Sequence, residues 1–352
     1  MHESEIKRDS THDSADLSES DLELISALQL DPRASWYRLS QALDVAPSTL
    51  SRRWQDLTRA GLAWVTTAPG AHHLDTGSTA FLLLSVKPGR IPAVLDGLSA
   101  EPMFGTISHV AGTHDLLVDC LAPSAAELTG LLTRGGELAE EVIQREAMVA
   151  TRLHRDATRW RAGAIERGKA RQIVEGREGR AASPVRDSVD AELIHALGSD
   201  GRMSWTELGH RCGIAPATAR RRVESLLAAG AFSLRCDAAA PLRQGRLGVT
   251  LLLDVPAAHL DEVGRWFGER LDCRLCAEVV GRANLLVTLW LQSFDELRAC
   301  EISVAEIAPG ARIVGRHIEL STVKRLGVLL DEQGRIRGRV PLALVHREQR
   351  PR

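Results

Sequence analysis

The residues in this chain best suited to chemistry are arginines that recur at matched positions. Arg52 and Arg53 follow Ser48 and Ser51 in a stretch opened by Ala46-Pro47, with Gln55 beyond them. Arg220, Arg221 and Arg222 follow a second opening, Ala215-Pro216. Guanidinium groups pair with guanine edges and make charge-assisted bonds to phosphates, so a helix presenting them on one face suits double-stranded DNA. The pair Cys273 and Cys276 raises metal or redox chemistry. Yet no second C-x-x-C completes a zinc site. The repeat counterparts of the pair, Phe104 and Ile107, are apolar, and a strand would place residues three apart on opposite sides. The cysteines are therefore read as core thiols. His72, His73, His109 and His317 have no carboxylate or cysteine at ligand spacing. No phosphate-binding glycine loop, H-E-x-x-H or nucleophile elbow is present. The expectation is a binding protein with no catalytic residue, metal or cofactor.

The elements that position the arginines come from an internal repeat. A shift of 169 residues lays Asp21-Leu-Glu-Leu-Ile on Asp190-Ala-Glu-Leu-Ile and Arg33-Ala-Ser-Trp36 on Arg202-Met-Ser-Trp205. Between Asp21 and Gly61, 19 of 41 positions are identical without a gap, a level that signals duplication. The register persists downstream, where Gly112-Thr-His-Asp-Leu-Leu-Val118 meets Gly281-Arg-Ala-Asn-Leu-Leu-Val287.

Each unit opens with three short helical patterns. Leu22, Ile25 and Leu28 mark the first, and Trp36, Leu39, Ala42 and Leu43 the second. Asp44-Val45, or Gly213-Ile214, makes a tight turn, since both Asp and Gly tolerate left-handed backbone. Pro47 and Pro216 then sit in a first helical turn, where the missing N–H does no harm. In the third helix Leu50, Trp54 and Leu57 face inward, as do Ala219, Val223 and Leu226, leaving the arginines outside. A helix, a turn and a helix with a basic outer face fit docking into a major groove. The remainder of each unit reads βαββαβ, a ferredoxin-like order, with the first strands at Ala80–Val86 and Val249–Val255. Pairing of the two sheets within one chain is expected.

The expected boundaries are a disordered acidic tail 1–17, heads at 18–68 and 187–237, effector domains at 76–160 and 245–335, a linker 161–186 that reads as a plain connection or a loosely packed helix, and a basic tail 336–352. Net charge is only −2, but nine acids in the first 31 residues mask ten Lys/Arg between Arg152 and Arg186. With neither a signal-peptide pattern nor a long apolar run, the reading is a cytoplasmic protein that does not enter membranes.

These features resemble the Lrp/AsnC family of bacterial and archaeal regulators. The head signature is carried by Asp21, Arg33 with Ser35, Arg52-Arg53, and Leu57 with Gly61, and again by Asp190, Arg202 with Ser204, Arg221-Arg222, and Leu226 with Gly230. The family's Gly-x-x-Asp turn matches Gly112 and Asp115. The resemblance implies an α+β chain: winged-helix-type helix-turn-helix heads plus ferredoxin-like effector domains, duplicated. It also implies DNA binding through Ser48, Ser51, Arg52, Arg53, Gln55, Arg220, Arg221 and Arg222. A small effector, of the amino-acid kind, would lie near Gly112, His114, Asp115, Gly281 and Asn284, with homo-oligomers forming through the effector domains. Three departures stand out, the first being that most members of the family carry a single unit and dimerise, whereas this chain is similar to a dimer fused head to tail. The serine that usually opens the recognition helix is Ala46 or Ala215, losing a cap of roughly 1 kcal/mol, and the second turn carries Asn284 for aspartate. The alternative reading is a siroheme-decarboxylase-like enzyme, since such enzymes resemble the same duplicated architecture.

Overall fold

The computed structural model describes residues 17–70, 78–133, 140–156, 166–174, 185–239 and 246–345. The first head is three helices: α1 (Glu19–Leu30), α2 (Trp36–Leu43) and α3 (Pro47–Arg59). Ser18 and Asp21 form a reciprocal capping box that starts α1, satisfying backbone N–H groups that have no helical partner. Asp44 closes α2 at φ 54°, and Ala46 opens α3 without a side-chain cap. Strand β1 (Ala63–Pro69) leaves the head.

The first body follows as β2 (Thr79–Val86), α4 (Ile91–Ser99), β3 (Phe104–Ala111), β4 (Leu116–Leu121), α5 (Ala125–Thr133) and β5 (Val142–Arg155). Helix α6 (Arg167–Val174) leads to the second head, α7 (Ser188–Ser199), α8 (Trp205–Cys212) and α9 (Pro216–Ala228), with strand β6 (Phe232–Ala238). The second body is β7 (Leu247–Asp254), α10 (Leu260–Glu269), β8 (Cys273–Val280), β9 (Leu285–Leu291), α11 (Phe294–Ile307) and β10 (Arg312–Arg325). A short hairpin, β11 (Val328–Leu330) and β12 (Ile336–Arg339), extends from β10.

Each body is a βαββαβ sheet, ordered β3-β4-β2-β5 in the first and β8-β9-β7-β10 in the second. The sheets join at both edges. Strands β5 and β10 run for 14 residues each, roughly 46 Å at about 3.3 Å per residue. The leading half of each pairs within its own body, β5 with β2 and β10 with β7. The trailing half crosses over, β5 to β8 and β10 to β3. The eight strands therefore close on themselves, which removes exposed sheet edges. Phe81, Leu83, Met148, Leu252 and Leu286 pack between the sheets. The outer faces are covered by helices, through Val94, Leu98 and Leu128 in one body and Val263, Phe267 and Val304 in the other.

The heads are joined by a two-stranded antiparallel ribbon, β1 on β6, with Thr66 opposite Arg235 at its middle. Packing across the ribbon is exchanged. Cys236 and Ala238 belong to the core of the first head, while Ala68 belongs to that of the second.

Four expectations change. The 161–186 linker contains α6, whose Ile173 is buried in the core of the first head and whose Lys169 pairs with Glu23 at 2.6 Å. Ala170, Ile173 and Val174 are too few apolar positions to give a periodic signal there. The basic tail is packed over its described part, since β12 pairs with β11 and Leu342 and Leu344 sit in the core of the second head. Helix α11, for which the sequence pattern predicts Phe294 to Ile302, runs five residues further, to Ile307. Cys273 and Cys276, expected on opposite faces of β8, share one core cluster. A register shift between Cys273 and Leu275 brings both thiols under α10. They remain core thiols, and burial raises the pKa of each. His72, His73 and the acidic tail up to residue 16 lie outside the described residues.

Candidate nucleic-acid interface and effector region

The outer face of α3 carries Ser48, Arg52 and Gln55 in solvent, with Ser51 half-buried. Leu50, Trp54 and Leu57 anchor the opposite face. On α9, Arg220 and Arg221 are exposed above Ala219, Val223 and Leu226. Arg220 reaches Glu224 one turn on, at 3.0 Å, an exposed pair of small energy. Arg52 and Arg221 occupy the same repeat position and both project outward.

Arg53 and Arg222 are placed differently. Arg222 donates to both carboxylate oxygens of Asp187, at 2.8 and 2.9 Å, and to Asp190 at 2.9 Å. Arg53 lies 3.8 Å from Asp21. Both guanidiniums turn toward the start of the first helix of their own head and hold the recognition helix against it. The sequence places these partners some thirty residues away, so the arginine pair looked uniform. The structure divides it into one outward and one inward residue.

The heads are locked together by a reciprocal contact. Arg33 donates to the carbonyls of Gly201 at 2.7 Å and Met203 at 2.9 Å, and stacks over Trp205, 3.7 Å from the ring centre. Arg202 mirrors it, donating to Pro32 at 2.7 Å and Ala34 at 3.0 Å and stacking over Trp36 at 4.1 Å. Burial lowers both guanidinium pKa values to about 10. Hydrogen bonds to a buried charge are the strong kind, and stacking on an indole adds cation–π attraction. The repeated Arg-x-Ser-Trp step was visible in the sequence as a head signature; its role as a latch exists only when two copies meet.

In the effector region the turn residues do structural work. The Asp115 carboxylate accepts from the Val86 N–H at 2.7 Å. Asn284 accepts from the Val255 N–H at 2.9 Å through its side-chain oxygen and donates to the Val255 carbonyl at 2.7 Å. Asparagine thus keeps the acceptor that aspartate supplies and adds a donor. Gly112 and Gly281 are required by crowding: a Cβ on Gly112 would stand 2.5 Å from the Arg316 carbonyl oxygen, and one on Gly281 would stand 2.8 Å from Cγ of Met148.

Sequence reasoning took His114 as a candidate and passed over His317. The structure brings them together, with ring centres 5.7 Å apart. Thr113 Oγ1 bridges His114 Nδ1 at 3.1 Å and His317 Nε2 at 3.2 Å. Both rings are buried, and their remaining nitrogens have no hydrogen-bond partner among the described residues. Burial, with smaller contributions from His114 and Arg282, lowers the His317 pKa to about 4. His109 lies on β3 apart from this pair. His154, Asp261 and Glu278 also cluster, but Arg152 sits 2.6 Å from Asp261 and 3.7 Å from Glu278. An arginine already supplies the positive charge there.

The strands also enclose a cavity of about 90 Å³, lined by Phe81, Asp119, Arg274, Thr288, Trp290 and Arg325 among others. That is room for several waters or one small molecule. Among the described residues no histidine lines it. No described helix is long and apolar enough to cross a membrane.

Comparison with known proteins places these features. The AsnC-type helix-turn-helix domain matches twice, at residues 17–58 and 187–227. The chain is 28% identical over 145 residues to the HTH-type transcriptional regulator FL11 of Pyrococcus horikoshii, covering 40% of this chain and 94% of that protein. It is 26% identical over 143 residues to FL11 of Pyrococcus furiosus, with the same coverage. Each relative therefore matches about one repeat unit. Among solved structures, the siroheme decarboxylase NirDL is similar with a TM-score of 0.56, covering 86% of this chain and 93% of its own, at 12% identity. At that identity the likeness concerns the fold alone.

Proposed function

We propose that this chain, a tandem duplication in which each unit opens with an AsnC-type helix-turn-helix domain, is a DNA-binding transcriptional regulator of the Lrp/AsnC kind that answers to a small effector. One observation carries the reading. Two recognition helices expose an arginine at the same repeat position, Arg52 and Arg221, and one polypeptide holds them through the reciprocal Arg33 and Arg202 latch. The simplest operator has half-sites one helical turn apart, about 34 Å. The outer-face residues differ between heads, Ser48, Ser51 and Gln55 against Arg220 and Glu224, so the operator is asymmetric. Arg53 and Arg222 support the helices from behind. The effector is of the amino-acid kind. The side chains of Asp115 and Asn284 are engaged by backbone, so those turns contribute shape and His114 contributes the free ring nitrogen. The protein acts by binding, without catalysis of its own, and functions in the cytoplasm.

The test is a gel shift on genomic fragments followed by footprinting. Arg52→Ala with Arg221→Ala should lower specific affinity at least 100-fold, while each single variant should lose protection over one half-site only. Unchanged binding by the double variant would overturn the assignment of these helices.

A further inference from the structure

Beyond β10, residues 326–345 run back across the molecule. The repeat shows how this segment arose. Ile173 of α6 and Leu342 stand 169 positions apart and are equivalent. Each is buried in the core of the head of its own unit. Both units therefore end in a segment that returns to complete a head. The first does so with a helix. The second uses the hairpin of β11 and β12 and then an extended stretch, and this path touches far more of the molecule.

Leu326 and Gly327 form the two-residue turn between β10 and β11, at φ 48° and 78°. Left-handed backbone is unfavourable for leucine, and burial of the Leu326 side chain in the core of the second head holds it there. Gly327 donates to the Gly105 carbonyl of the first body at 3.3 Å. In the hairpin, Val328, Leu330 and Ile336 pack around Trp64 of the ribbon strand β1. Ile336 also donates to the Gly61 carbonyl of the first head at 3.0 Å. Past the hairpin, Ala343 donates to the Pro102 carbonyl of the first body at 3.2 Å, while Leu342 and Leu344 on either side enter the second head. Pro341 closes on Gly198 of α7, where a Cβ would stand 2.9 Å from that of the proline. A segment that leaves the second body is thus seated on the first body and on both heads.

The latch and the ribbon join head to head. Between ribbon and bodies, Arg325 reaches Asp237 at 3.7 Å and the Ala238 carbonyl at 3.5 Å, both long for contacts of a charged group. Leu121 of the first body enters the second-head core, in the cluster that Leu326, Leu342 and Leu344 complete. Apolar burial of this kind is what makes a joint firm. We propose that residues 326–345 are a strap that unites the paired heads and the two bodies in one rigid unit, so that a change in the sheets is delivered to both heads together. Without it the heads stay paired through latch and ribbon but pivot on the bodies. The strap goes beyond the regulator reading and does not depend on what the heads bind.

The test uses the full chain with spin labels. The six cysteines are buried, so labels go to introduced ones. Gln41→Cys and His210→Cys mark equivalent exposed sites on the two heads, and Leu271→Cys, at a residue 87% exposed, marks the second body. Pulsed electron resonance reads the distance within each pair of labels, and calorimetry follows unfolding. In the full chain all three pairs should give narrow distances, with a single cooperative transition. Stopping the chain after Leu330 removes β12 and the anchors beyond it. Both head-to-body distributions should then roughly double in width while the head-to-head distance stays narrow, and the transition should split in two. If that chain fails to fold, Ile336→Ala with Leu342→Ala and Leu344→Ala empties the same anchors at full length and should give the same result. Head-to-body distances already broad in the full chain, or still narrow in a folded release variant, overturn the strap. So does a head-to-head distance that broadens with them, which would make the segment a piece of the head cores alone. No DNA enters these measurements, so their failure leaves the regulator reading standing, and failure of the gel shift leaves the strap standing.

Discussion

The two places where the sheets join are related by the duplication, and they are built from different chemistry. At the junction of β10 with β3, His317 and His114 are buried around Thr113. At the junction of β5 with β8, the residues 169 positions earlier and later are Met148 and Ala283, also buried. The glycine of each turn packs on the neighbouring long strand in the same way, Gly112 against His317 and Gly281 against Met148. The backbone solution is thus common to both, and the side chains are free to differ. Met148 and Ala283 contribute packing with no group of their own to titrate. The histidine junction holds the sheets together with rings that must stay neutral. Duplication within one chain permits this, because each copy mutates alone, whereas a symmetric dimer would change both junctions at once.

The largest expected difference between the copies lies in the heads. Asp190 is fully buried and shares Arg222 with Asp187. Arg222→Ala should cost about 3 kcal/mol, since a buried carboxylate loses its main countercharge. Arg53→Ala breaks a longer and more exposed contact with Asp21 and should cost less than about 1 kcal/mol. Urea unfolding of both variants reads the difference, and equal losses would break the comparison.

Next comes the histidine junction. The His317 pKa is lowered from 6.5 to about 4 by burial first. Between those values the unfolded chain holds a proton that the folded chain refuses, so stability falls as pH drops from 6.5 towards 4. At pH 5 the loss is about 2 kcal/mol by linkage. His317→Met, which copies Met148, should remove this acid sensitivity. Asp119 acts in the opposite sense, its pKa raised to about 6 chiefly by burial, but it is present in both proteins and cancels. Identical stability differences between pH 7 and pH 5 in the two proteins would refute the role of the ring.

The smallest effect separates the turns. Asp115→Asn retains the oxygen that accepts from Val86 and should be nearly neutral. Asn284→Asp removes the donor to the Val255 carbonyl and sets a carboxylate against that oxygen, at a cost of about 1 kcal/mol. Thermal melts at pH 7 distinguish the two.

Much of this was legible in the sequence wherever one repeat folds on its own. The heads, their turns at Asp44 and Gly213 and their uncapped recognition helices followed from local pattern, as did the βαββαβ order. What escaped depends on one copy meeting the other. Edge pairing between β5 and β8 leaves no periodic trace. The stacking of Arg33 on Trp205 needs both heads, and the inward turn of Arg222 depends on a carboxylate 32 residues away. The bulge in β8 defeated a strict alternation rule for Cys273 and Cys276. The cavity is lined by strands of both bodies, so Arg274 looked like an ordinary strand arginine.

The exchange of ribbon strands between heads has a consequence for how such a molecule is used. Regulators assembled from separate subunits lose their paired reading heads on dilution, so operator occupancy falls faster than concentration. Here the partner head is tethered at a fixed, high local concentration. A few copies per cell would therefore engage a paired site as completely, per molecule, as many, and occupancy would follow the first power of protein number.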